Sequence, residues 1–191
     1  MQILKDEIRD TIVDAATGIF LDKGFHRASM QEIAQKASVS ASNIYNYFRG
    51  KKELFDFIVA PAANAVTHII RSVMAEEEQT GHGADEMIEV IASSLRQQLA
   101  DRHREIVLLM HHSQGSSYAG YKDRLITLLQ DHFIENLRDP SRQNELIFHI
   151  IANNFVEGVV EIARHYRDQD QAAESLRYFL TYHLSGMAPF L

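Results

Sequence analysis

The 191-residue chain contains no cysteine and no tryptophan and only three prolines. Without cysteine it can form neither a disulfide framework nor a thiolate metal site, and it has no cysteine nucleophile. The first ten residues carry acidic side chains where a signal peptide needs a basic and then an apolar segment. No stretch approaches the ~20 apolar residues expected of a membrane span. These absences predict a soluble, cytoplasmic protein without a membrane partner.

The formal net charge of −7 hides an uneven distribution of charged side chains. Six lysines and arginines but only one acid, Glu32, lie between Lys23 and Lys52, whereas residues 53–191 hold 11 basic and 20 acidic side chains. A polyanion is therefore attracted to one short segment and repelled by the remainder. This distribution is typical of a protein with a single nucleic-acid docking face.

Apolar residues recur at helical spacing along almost the whole chain, and no sustained alternation with a period of two is present. The pattern predicts an all-α fold of about nine helices. Ser29 and Glu32 form a capping-box pattern at the start of a short second helix. Ser40 is placed to cap a third helix, Ala41 to Phe48. Two short helices joined by a three-residue turn are the pattern of a helix-turn-helix.

The third helix commits Ile44 and Phe48 to the interior, because they lie four residues apart on one face. The side chains left to face outward are small, polar or aromatic and include no acid: Ala41, Ser42, Asn43, Tyr45, Asn46 and Tyr47. Such a surface suits entry into a DNA major groove. Ser29, Ser40 and Lys51 are the predicted phosphate contacts around it.

Two stretches of this region resemble the TetR (tetracycline-repressor-like) family of bacterial transcription regulators. They are FHRASMQEIAQKASVS (Phe25–Ser40) and IYNYFRGKKEL (Ile44–Leu54). The family usually has glycine where Ser38 and Ser42 stand, and often threonine at Ser29. The resemblance implies a helix-turn-helix DNA-binding domain over 1–50, and a helical ligand-binding and dimerisation domain over 51–191. The implied function is that of a homodimeric repressor released from its DNA operator by a small molecule.

The resemblance also implies residue roles. In the family, base and phosphate contacts come from the positions matching Ala41, Ser42, Asn43, Tyr45 and Tyr47, and a phosphate contact from the position matching Lys51. The last two helices of the family pair with those of a second subunit, and here the matching segments are 142–166 and 170–187. The apolar run 106–110 predicts a helix buried in the C-terminal domain. Candidate polar groups of a ligand pocket are His111, Tyr118, Tyr121 and the amide of Asn154, which the helical pattern places on an apolar face.

Four alternatives remain open from the sequence. Residues 25–54 would also suit an ordinary three-helix corner with solvated polar residues. The ten histidines would allow a metal sensor assembled from several helices, although few pairs have ligand spacing. A DNA-binding dimer that answers to no ligand is a third reading. An enzyme has little support, because no phosphate loop, zinc-protease helix or nucleophile elbow is present, and we predict neither enzymatic activity nor a cofactor.

Overall fold

The computed structural model describes residues 2–80, 84–139, 141 and 144–190, and this part of the chain is all-helical, as predicted. It forms eight α-helices: α1 (Gln2–Arg27), α2 (Met30–Lys36), α3 (Ala41–Ile44), α4 (Lys51–Thr80), α5 (Ala84–His111), α6 (Tyr121–Glu135), α7 (Glu145–Arg164) and α8 (Gln169–Met187).

The predicted number of nine helices differs from the eight described because two expected helices are joined. The segments predicted as separate helices, 85–100 and 103–112, run together as α5, with a kink at Arg102 where φ is −146°. The predicted loop at 76–83 is also shorter, since α4 continues to Thr80. Residues 81–83, and residues 142–143 of the predicted dimer helix, lie outside the described residues.

The chain divides into two compact units, and the division differs from the predicted boundary at residue 50. The first unit contains Met1–Ala63 together with Arg104–Tyr121. The second contains Asn64–His103 together with Lys122–Leu191. The start of α4 and the end of α5 therefore belong to the same unit as the two short helices. The division within α4 is not visible in the sequence, because a continuous amphipathic helix gives no sequence signal where its packing partner changes.

The core of the first unit is built around three phenylalanine rings. The rings of Phe20 and Phe25 each lie 5.0 Å from that of Phe55 in edge-to-face contact. The run Ile106–Met110 is buried as predicted, but in this unit rather than in a separate C-terminal domain. The Phe25 amide donates to the carbonyl of His112 at 2.9 Å, and this bond holds the end of α1.

The second unit is held by apolar faces of α5, α7 and α8. Its central cluster contains Met87, Ile88, Ile91 and Leu180, with the half-buried rings of Phe155 and Phe179 packed against it. The buried side chains of α7 and α8 recur every three or four residues, which gives each helix one continuous apolar stripe facing the core.

Two helices are long and apolar enough to cross a membrane, judged by length and composition alone. They are Lys51–Ala75, with a mean hydropathy of 1.3, and Glu145–Arg164, with 1.4. The sequence prediction that no stretch approaches a span was therefore wrong. Helices in the cores and interfaces of soluble proteins also meet this criterion, so it does not by itself indicate a membrane protein.

Candidate nucleic-acid interface

Helix α2 begins with the predicted capping box. The Ser29 hydroxyl accepts from the Glu32 amide at 3.3 Å, and the Ser29 amide donates to the Glu32 carboxylate at 3.1 Å. The same carboxylate accepts from the Ser29 hydroxyl and pairs with Lys23, and the hydrogen bond from Lys23 is the main reason that the pKa of Glu32 is lowered. The Ser29 hydroxyl is thus already used within the chain. Its predicted role as a phosphate contact stays untested.

The turn between α2 and α3 contains the only described non-glycine residue with a positive φ. Ser38 has φ 55°, and the next amide, that of Val39, donates back to the carbonyl of Ala34 at 3.0 Å. A left-handed residue at this point reverses the chain within three residues, which sets the start of α3. This geometry explains physically why glycine is favoured where Ser38 stands.

Helix α3 is shorter than the predicted Ala41–Phe48. Ser40 caps it as expected, since its hydroxyl accepts from the Asn43 amide at 3.2 Å. Regular α-helix ends at Ile44, after which the Asn46 and Tyr47 amides donate to carbonyls three residues earlier, at 3.1 and 2.9 Å. The chain therefore tightens into successive turns instead of continuing as α-helix.

The residues after Ser40 present the side chains that the sequence predicts to face outward. Ile44 and Phe48 are buried, at 0% and 4% exposure. Ser42, Tyr45 and Asn46 are exposed, and Ala41, Asn43 and Tyr47 are half-buried. We call residues 41–47 the recognition segment. None of its predicted DNA-contacting side chains is enclosed, so the surface is open to a partner.

Lys51, a predicted phosphate contact, is engaged inside the first unit. Its ammonium donates to the carbonyls of Ala28 at 2.8 Å and His26 at 3.1 Å, and it lies 4.7 Å from the centroid of the Phe25 ring. These contacts satisfy carbonyls at the end of α1 that have no partner in the helix. We infer that Lys51 positions the start of α2 and α4 and that phosphate contact is a lesser role.

Two cations that the sequence did not single out follow the recognition segment. Arg49 and Lys52 are both exposed, and neither side chain has an ion-pair partner among the described residues. Their exposure and their place directly after the recognition segment make them better candidates for phosphate contacts than Lys51. Sequence alone does not show which of the three neighbouring cations is exposed, because that depends on which one contacts the end of α1.

The four predicted ligand-pocket residues are divided between the units. His111, Tyr118 and Tyr121 belong to the first unit, and Asn154 to the second. The Tyr121 hydroxyl donates to the carbonyl of Ala63 at 2.9 Å. The expectation that the Asn154 amide is buried was wrong, because that residue is exposed at the surface of the chain. Its apolar neighbours Ile147 and Ile151 are not fully buried either, which explains the misplacement.

The metal-sensor alternative gains no support from the side-chain arrangement. Across the residues that the structure describes, no three histidine, aspartate or glutamate side chains come together in a group able to hold an ion.

Comparison with known proteins identifies the first unit. The family described as bacterial regulatory proteins, tetR family, matches residues 12–58. This match assigns residues 12–58 to that family. The matched residues include the whole helix-turn-helix and the first turns of α4, so the likeness covers the candidate interface itself.

Two curated relatives and one solved structure show how far the likeness extends. The transcriptional activator FasR of Mycolicibacterium smegmatis is 43% identical over 51 residues, which are 27% of this chain and 23% of FasR. The transcriptional regulator UidR of Escherichia coli K12 is 23% identical over 146 residues, 76% of this chain and 72% of UidR. A TetR-family regulator from Bordetella parapertussis matches with a TM-score of 0.68 at 18% identity, over 96% of this chain and 97% of the other. The structural likeness establishes the fold alone, and the family likeness is shown for residues 12–58.

Ser38 and Ser42 stand where TetR-family chains usually have glycine. Substitution by glycine is predicted to change stability in opposite directions at these two positions. Ser38→Gly removes the cost of the left-handed conformation, roughly 1–2 kcal/mol, and adds about 0.5–1 kcal/mol of freedom in the unfolded chain. The variant is therefore expected to be more stable by up to about 1.5 kcal/mol. Ser42→Gly, inside α3, costs about 0.5–1 kcal/mol. Urea unfolding of both variants measures the difference, and equal destabilisation would contradict the account of the turn.

Lys51 and Lys52 are predicted to differ in how their loss changes DNA binding. Lys51→Met removes two hydrogen bonds and lowers stability by about 1 kcal/mol, while the slope of log affinity against log salt is unchanged. Lys52→Met leaves stability within about 0.5 kcal/mol and reduces that slope by about one. Thermal unfolding and salt titrations of DNA binding measure both quantities. If Lys51→Met instead reduced the slope of log affinity against log salt and left stability unaltered, Lys51 would be a phosphate contact and the positioning role would be wrong.

Proposed function

We propose that the chain is a cytoplasmic, homodimeric repressor that leaves its DNA operator when a small molecule binds its helical C-terminal part. The observation that supports DNA binding is the recognition segment, an open surface without acidic residues in an acidic protein. It is followed by two exposed cations that have no ion-pair partner among the described residues. The proposed DNA contacts are Ser29, Ser40, Ala41, Ser42, Asn43, Tyr45 and Tyr47, with Arg49 and Lys52 added and Lys51 acting mainly by position.

The proposed dimer forms through α7 and α8. Helix α7 exposes Leu146, Ile147 and Ile150, and α8 exposes Tyr178 and Tyr182. Only 33% of an apolar 18-residue stretch within α7 is buried in one chain. An apolar surface of this kind is unfavourable in water and is covered when the same two helices of a second copy pack against it in a four-helix arrangement.

The proposed mechanism is a two-state dimer. In the DNA-binding state the two recognition segments lie ~34–36 Å apart and enter successive major grooves. An effector that binds the other state more tightly shifts the population away from the DNA-binding state. The size of the shift is set by the ratio of the effector's affinities for the two states. The long helix α4 contributes residues to both compact units and is the proposed connection between effector and operator. FasR is named an activator, but its match covers too little of this chain to decide the sign of regulation.

Fluorescence anisotropy with DNA from the protein's own promoter region tests the proposed interface. Asn43→Glu places a carboxylate in the recognition segment and is expected to weaken binding tenfold or more, since one base contact contributes about 1–3 kcal/mol of discrimination and the new charge faces phosphates. Gln169→Glu is the matched control, because it adds the same charge on an exposed residue of α8.

The expected result is near wild-type affinity for Gln169→Glu and a large loss for Asn43→Glu, with both variants folded by circular dichroism. Equal affinities for the two variants would exclude the recognition segment as the DNA-binding surface.

A further inference from the structure

His183 is a core residue of α8 with one ring nitrogen that lacks a partner. The residue is 8% exposed and occupies the buried stripe of its helix. Its Nε2 lies 3.1 Å from the carbonyl oxygen of Ile151 on α7. Because a carbonyl only accepts, Nε2 carries the proton, and Nδ1 of the neutral ring is left as an acceptor. Nδ1 is fully buried and has no hydrogen-bond partner among the described residues. Burial lowers the pKa of His183, which favours this neutral form.

An unsatisfied buried acceptor costs folding free energy, and folded proteins contain few of them. A phenylalanine or leucine at this place would fill the same stripe without that cost. The histidine therefore provides something other than stability, and its chemistry in the neutral form is limited to accepting one hydrogen bond at Nδ1.

The surroundings of the His183 ring are aromatic and aliphatic. The ring centroids of Phe155 and Phe179 each lie 5.2 Å from that of His183. Both phenylalanines are half-buried and pack against the cluster of Met87, Ile88, Ile91 and Leu180. No member of the cluster, and no hydrophobic residue packed against it, carries a charge.

Gly158 of α7 allows the Phe179 ring to lie where it does. A Cβ atom at residue 158 would collide with the ring, so the ring packs directly on the helix backbone. Phe179 and Phe155 are thus two incompletely buried rings that contact both the His183 ring and the apolar cluster, and a ligand that displaced them would contact both as well.

We propose that His183 is the polar anchor of an effector site in the second unit. The effector class is a neutral, mainly apolar molecule with one hydroxyl or N–H group, which donates to Nδ1 while its apolar part packs against Phe155, Phe179 and the Met87–Ile91 face of α5. A neutral effector matches the apolar side chains of this cluster, since a buried charge without a partner is costly. The proposal rests on the proposed function, since it names the effector class of that regulator.

The tautomer of His183 is the first test and needs no ligand. Nitrogen-15 NMR of the histidine side chains, with His183→Phe to assign the signal, is expected to show the proton on Nε2 and an unprotonated Nδ1 near neutral pH. A proton on Nδ1 overturns the proposal, since that nitrogen would then be a donor.

The second test uses straight-chain primary alcohols and their methyl ethers, matched in chain length, as probes. Only the alcohol donates a hydrogen bond. For the chain length that binds most tightly, the ratio of alcohol to ether affinity is expected to fall about fivefold or more from wild type to His183→Phe. Thr127→Val, at an exposed residue of α6 outside the proposed dimer and effector surfaces, is the control and keeps the wild-type ratio. Affinities come from the dependence of thermal unfolding on probe concentration.

An unchanged ratio in His183→Phe, or an absence of binding by every alcohol in the series, overturns the proposed site. Operator binding is measured on the same wild-type and His183→Phe samples without probe and is expected to be unchanged. If operator binding persists while the alcohol preference is absent, the effector site is wrong and the regulator function stands. If wild type binds no promoter DNA, the proposed function itself fails.

Discussion

The presentation of the recognition segment depends on the packing at the end of α1. Helices α2 and α3 have seven and four residues, far below the length at which an isolated helix is stable in water. Their conformation therefore comes from burial of Ile33, Ile44 and Phe48 and from the ring cluster of Phe20, Phe25 and Phe55. Lys51 joins this cluster to the last carbonyls of α1. Without that packing the polar side chains after Ser40 would have no fixed geometry to offer a DNA groove.

Cations that are neighbours in the sequence differ in burial and in the role that we propose for them. Lys51 is drawn inward by two carbonyls and an aromatic face, whereas Arg49 and Lys52 remain exposed. In the proposed function the inward cation fixes the geometry, and the outward cations supply the salt-dependent attraction to phosphate. Because the rest of the chain is acidic, that attraction acts only where the segment is correctly oriented, which favours docking in one register over non-specific contact.

Local sequence signals predicted much of the fold and of the DNA-binding surface. The capping box at Ser29, the cap at Ser40 and the inward pair Ile44 and Phe48 are all determined by neighbours within four residues, and the structure confirms them. The boundary between the compact units, the contacts of Lys51 and the exposure of Asn154 were not predicted. Each depends on residues distant in sequence: α5 returning to the first unit, the carbonyls of α1, and the apolar surface of α7 that one chain leaves uncovered.

The sequence predicted less about the second unit than about the first. Helical periodicity identifies buried positions but does not show which polar group among them lacks a partner. His183 was therefore not distinguishable from the other nine histidines by spacing. Its significance arises only from the carbonyl of Ile151 and the two rings beside it.

The central claim is that the recognition segment enters the major groove twice, once for each subunit of a dimer. Methylation interference on the bound promoter fragment tests it most directly, because guanine N7 lies in the major groove and adenine N3 in the minor groove. The account predicts interference at guanine N7 in two symmetry-related positions, separated by a whole number of helical turns. Interference confined to adenine N3, or at one unrepeated position, would contradict it.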